Sequence, residues 1–179
     1  MNELLLPLMG VAGYIALHHL WLWLGRRSET LYLWVAAWSL DTLLYLVSHF
    51  IQLSSGTVED AVLGGRLAWV SAFIALVVAV GLSYALAGRP APRRLLAAVT
   101  AVSATLLVVH ALTEAIVTRR TYLRTDALGH QEIGLLPGPL LPVVAPYIVL
   151  VFIYCFRVVW RATGLRPGER RVILCGFVV

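Results

Sequence analysis

Five apolar blocks, each long enough to cross a membrane and separated by polar arginine-bearing loops, constrain this chain more than any other feature. They run over about Leu4–Leu24, Leu31–Leu53, Val62–Ala87, Leu95–Val117 and Leu140–Trp160. At a rise of 1.5 Å per residue, a helix of roughly 20 residues crosses a ~30 Å hydrocarbon layer. Composition agrees: hydrophobic residues make up 60% of the chain, charged residues 13%, and the mean hydropathy is +0.87. Soluble domains carry roughly twice that charged fraction. Met1 leads into the first block without a charged leader or a small-residue cleavage site, so that block reads as a retained helix. A sixth apolar block opens at RVILCGFVV, from Arg171, and has about eight residues before the sequence ends, too few to span a bilayer. The expected fold is all-α, a polytopic membrane helix bundle of five full transmembrane helices plus the start of a sixth. Residues 1–179 then form one transmembrane domain, continuing into a further helix and a cytoplasmic effector domain.

The net charge of +5 does not point to nucleic acid, because of where the charge lies. All 14 basic residues are Arg, and most sit in loops between apolar blocks, where such residues orient helices in a membrane. With the N-terminus outside, the inner loops hold ten: Arg26, Arg27, Arg89, Arg93, Arg94, Arg157, Arg161, Arg166, Arg170 and Arg171. The outer side holds four, Arg66, Arg119, Arg120 and Arg124. The positive-inside rule therefore places the N-terminus outside. The absence of Lys excludes a retinal Schiff base. Cys155 and Cys175 lie in or beside apolar blocks and read as packing residues.

Ionisable side chains at membrane depth need a partner or a task. The second block carries Trp34, Trp38, Asp41, Tyr45, Ser48 or His49, and Gln52 three or four residues apart, on one expected helix face. The first carries a comparable stripe of Gly10, Tyr14, His18 and Trp21, suited to close packing against a neighbour. Two clusters are expected. An inner one joins His18 and Asp41, with Asp41 either a switch or a structural partner of His18, Tyr14 or a Ser or Thr hydroxyl. An outer one joins His49, Arg66, His110 and Glu114, with His110 and Glu114 one turn apart on a fourth helix. The outer group reads either as helix-to-helix bonding with an Arg66–Glu114 salt bridge or as a ligand pocket. That pocket is lined by Tyr45, His49, Arg66, Trp69, His110 and Glu114, and closed from above by Tyr122 to Leu136. In it Arg66 would hold a carboxylate or phosphate, and Trp69 and Tyr45 would cover an apolar tail. Haem or a metal on His49 and His110, in a membrane enzyme or redox protein, is the alternative. No GxSxG, HExxH, CxxC or phosphate-cradling glycine loop is present.

The stretch HHLWLWLGRRSETLYLWVAAWSLDTLLYL, residues 18–46, resembles the first hairpin of the N-terminal multi-helix membrane sensor regions of bacterial histidine kinases and diguanylate cyclases. GLRPGERRVILCGFVV is similar to a later arginine-rich loop and helix start in the same regions. The resemblance implies a signal-input module for a small lipophilic or amphipathic ligand, set in membrane lipid. It further implies a homodimer formed through the cytoplasmic kinase or cyclase domain. No nucleic-acid partner and no resident cofactor are expected.

Overall fold

The structure, a computed structural model, describes residues 2–54, 57–125 and 131–162. Its elements are α1 (Asn2–Gly25), α2 (Thr30–Ser54), α3 (Val58–Leu86), α4 (Arg93–Leu112), β1 (Val117–Thr125), β2 (Gln131–Pro137) and α5 (Leu141–Trp160). All five helices are long and apolar enough to cross a membrane. The helical bundle is therefore as expected, with a two-stranded sheet added to it. The sixth block, from Arg171, lies outside the described residues, as do Arg166, Arg170 and Cys175.

Cross-helix contacts fix the directions. Trp34 on α2 packs against Gly81 on α3, Asp41 bonds Ser71, and Ser48 lies against Gly64, so α2 and α3 run antiparallel. Gly13 meets Leu43 and the His19 ring stands 6.1 Å from Tyr32, which sets α1 antiparallel to α2. Arg66 near the start of α3 bonds the end of α4. Tyr84 near the end of α3 bonds Tyr154 near the end of α5. One end of the bundle thus gathers Arg26, Arg27, Arg89, Arg93, Arg94, Arg157 and Arg161, and the hairpin stands at the other.

The centre is α3, which packs against α2, α4, α5 and both strands. Its Phe73, Leu76, Ala79 and Val80 meet Val99 of α4, Val144, Val151 and Cys155 of α5, and Ile116 and Val117 at the start of the hairpin. Between helices in lipid there is little hydrophobic driving force, and close packing of small residues takes its place. Gly64, Ser71 and Ser48, all buried, supply it between α2 and α3.

Two expectations are corrected. Helix α4 ends at Leu112, five residues before Val117, because Thr113 turns extended (φ −135°, ψ 174°). Its hydroxyl donates to the Val109 carbonyl at 2.6 Å and accepts from the Ala115 N–H at 3.1 Å, closing the helix with a local turn. The α1 stripe also does not face its neighbour. Tyr14 and Trp21 are exposed and Gly10 touches nothing, whereas Ala12 and Ala16 are buried on the side toward α2. Small side chains let the two backbones approach, so they, not the large aromatics, take the interface.

Candidate functional site

The polar segment after α4 folds into an antiparallel hairpin. Thr121 pairs with Leu135, Tyr122 with Gly134 and Leu123 with Ile133, and the register shifts between Val117 and Thr121. β-Branched and aromatic residues (Val117, Thr118, Thr121, Tyr122) favour the extended chain of β1. Gly134 leaves space for the Tyr122 ring lying across it, where a Cβ would collide with that ring. At Gly65 the missing side chain lets Leu135 reach onto α3. The Gln52 amide at the end of α2 donates to the Ile133 carbonyl at 3.2 Å, tying the hairpin to the bundle.

Beneath the hairpin these contacts leave a cavity of about 370 Å³. Trp69 and Ala68 of α3, Gln52 of α2, Leu141 of α5 and Tyr122, Ile133 and Leu135 of the hairpin line it. Among the described residues none of its lining side chains is charged. Apolar and aromatic walls with one amide suit a small neutral or amphipathic molecule, and the volume lies in the range of small-molecule sites.

Of the six residues expected to line an outer pocket, Trp69 does so here. Arg66 is engaged elsewhere: its Nη2 donates to the His110 carbonyl and, at 3.1 Å, to the Ala111 carbonyl. These are among the last carbonyls of α4, which have no partner within their own helix and form the negative end of its dipole. His110, 1% exposed, returns a bond from Nε2 to the Arg66 carbonyl at 3.1 Å and packs edge-on to Phe73. Among the described residues its Nδ1 has no hydrogen-bond partner. Because α4 ends at Leu112, Glu114 stands on the following turn and pairs with Arg119 at 3.7 Å, not with Arg66. Glu114 lines a separate depression of about 440 Å³, shared with Thr118 and Arg120. Tyr45 and His49 stack on each other at 5.8 Å along α2, with Tyr45 exposed.

The inner pair separates too. Asp41, 8% exposed, accepts from the Ser71 hydroxyl at 3.0 Å. His18 stacks on Tyr14 at 5.8 Å, on the exposed side of α1. Of the partners expected for Asp41, a Ser hydroxyl is the one found. Among the described residues no three His, Cys, Asp or Glu side chains are placed to hold a metal ion. An outer-half cavity with Trp69 in its wall and the Tyr122–Leu136 segment over it was expected from the sequence; the rest of its lining escaped that reading, since Gly65, Gly134 and a hairpin backbone make it. The usable signal was the glycine spacing beside a Thr- and Tyr-rich stretch.

Comparison with protein-family models, curated proteins and solved structures finds no significant match to this chain.

Proposed function

We propose that the chain is a membrane signal-input module: a small neutral or amphipathic molecule enters the cavity beneath the hairpin and biases α3. The observation that carries this is the cavity, roofed by the hairpin and floored by Trp69 and Ala68 of α3, the helix that packs on α2, α4, α5 and both strands. A shift of α3 at Gly65 reaches Tyr84 over 19 residues, roughly 30 Å along the axis. In this reading the N-terminus is outside a bacterial inner membrane and the arginine-rich end is cytoplasmic. The output is a histidine kinase or diguanylate cyclase on that side, dimeric through its own domain, in line with the resemblance of residues 18–46. The ligand chemistry differs from an Arg66-held anion, because Arg66 already serves the end of α4.

The test is hydrogen exchange on the purified chain with decanol as probe. Decanol is expected to protect Tyr122 and Ile133–Leu135 and, in addition, to alter exchange at Ala85–Gly88 at the opposite end. Ala68→Trp, which fills the cavity, should abolish both effects while leaving the melting temperature within a few degrees. Protection confined to the hairpin, or effects unchanged in Ala68→Trp, would refute the input-module reading.

A further inference from the structure

At the arginine-rich end, α3 and α5 enclose a recess of about 190 Å³ on which the ligand-sensing reading does not draw. Two phenols form part of its wall, with the Tyr84 and Tyr154 hydroxyls 2.5 Å apart. Three guanidiniums border it: Arg89 after α3, Arg157 in the last turn of α5, and Arg161 at its C-cap.

Local sequence brings these groups together. Gly88 adopts φ +67°, and its N–H donates to the Ala85 carbonyl while the Arg89 N–H donates to the Tyr84 carbonyl, each at 3.0 Å. This glycine-closed helix end turns Arg89 back over α3, and Pro90 stops the helix from continuing. Arg157 and Arg161 stand four residues apart, on one face of α5.

Three like charges around one recess repel, and the carbonyl end of a helix offsets only part of this. No described carboxylate neutralises them. Among the described residues Glu29 is the one acid at this end, and it pairs with Arg26 at 3.7 Å. The sequence beyond Ala162 adds Arg166, Arg170 and Arg171 against Glu169 alone. The two phenols can make one hydrogen bond between them, which leaves one O–H free to donate. Forked guanidinium donors and a phenol suit a tetrahedral oxyanion.

A second observation identifies the anion's source. An apolar groove of about 620 Å³ runs along the exposed face of α5, past Phe152, Ile153, Phe156 and Trp160. It meets the recess at Arg157, which lines both. A free phosphate would leave this groove unused, whereas a lipid fills recess and groove together. We propose that the recess binds the phosphate headgroup of an anionic phospholipid, with one acyl chain along the α5 groove.

Melting of the purified chain in detergent tests this, with dihexanoyl-phosphatidylglycerol, dihexanoyl-phosphatidylcholine and inorganic phosphate as probes. Phosphatidylglycerol is expected to raise the midpoint by roughly 3–6 °C. Phosphatidylcholine at equal concentration should do far less. The combined variant Arg89→Gln/Arg157→Gln/Arg161→Gln should lose the rise, and Arg26→Gln/Arg27→Gln/Arg94→Gln should keep it. An equal rise with phosphatidylcholine, or loss of the rise in the second variant, would overturn the site as a general surface effect. An equal rise with inorganic phosphate would overturn the lipid assignment. If the first variant does not fold, native mass spectrometry of the unaltered chain decides. At least tenfold preferential retention of one phosphatidylglycerol over phosphatidylcholine supports the site, and equal retention refutes it.

Discussion

Gly64 marks the closest approach of α2 and α3: a Cβ there would stand 2.6 Å from the Ser48 carbonyl oxygen and 2.7 Å from the Gln52 nitrogen. Both are backbone atoms in helices and cannot swing aside. Gly64→Ala is therefore expected to cost roughly 1–3 kcal/mol by overpacking, read as reduced resistance to unfolding in mixed micelles. Gly13→Ala is the control, since its Cβ would meet only the Leu43 side chain, at 3.9 Å, and it should be close to neutral. Since Ala is the better helix former at both sites, equal losses would show that the close approach at Gly64 does not set the cost. The polar face of α2 is legible in the sequence, because Trp34, Trp38, Asp41, Ser48 and Gln52 repeat at helical spacing in an otherwise apolar run. Which helix covers it is not legible: Gly64, Ser71 and Gly81 look like any small residues until α3 lies against them. The Asp41–Ser71 bond is an ordinary interhelical one, and such bonds average about 0.6 kcal/mol in a membrane protein. Asp41→Asn, which can still accept from Ser71, should fold as the parent does. A variant that fails to assemble would show that the carboxylate itself holds the bundle.

The end of α4 shows how one short residue redirects a whole element. Apolar Ala115, Ile116 and Val117 continue the helical pattern past Leu112, so hydropathy reads on as helix. Thr113 instead breaks the ladder by bonding its own turn, and the following residues leave as a strand. Glu114 thereby loses its place one turn above His110, and Arg66 takes the freed carbonyls of α4 instead. Two different energies follow. The Glu114–Arg119 pair is exposed, at 3.7 Å, so Glu114→Gln should change stability by less than about 0.5–1 kcal/mol. Arg66→Ala removes a charged donor from two helix-end carbonyls and should cost about 1.5–3 kcal/mol. Denaturation of both single variants and the double variant checks this, with a coupling near zero expected between positions 66 and 114. A coupling of about 1 kcal/mol or more would restore a direct Arg66–Glu114 contact.

On the scale of the molecule, alternating helix directions make the arginine distribution a statement about the bilayer. Antiparallel steps from α1 to α4, and the shared direction of α3 and α5, put Arg26, Arg27, Arg89, Arg93, Arg94, Arg157 and Arg161 at one end. Arg66, Arg119 and Arg120 stand toward the other, with Arg66 already held by carbonyls of α4. Helix number and loop charge were readable from block length and Arg spacing, since bilayer thickness and membrane potential act on those quantities directly. The hairpin was not, because strand pairing depends on which backbone lies opposite, which no local period records. The arrangement predicts that the arginine-rich end is cytoplasmic and the hairpin external. In a background with Cys155 and Cys175 replaced by Ala, a Cys at Ser28, in the exposed turn between α1 and α2, should resist an impermeant maleimide in intact cells. It should react once the membrane is opened. A Cys at Thr118, partly exposed on β1, should react from outside in both states. Labelling of position 28 from outside, with protection of position 118, would invert the bundle, making the hairpin cytoplasmic and placing the arginine recess in the outer leaflet.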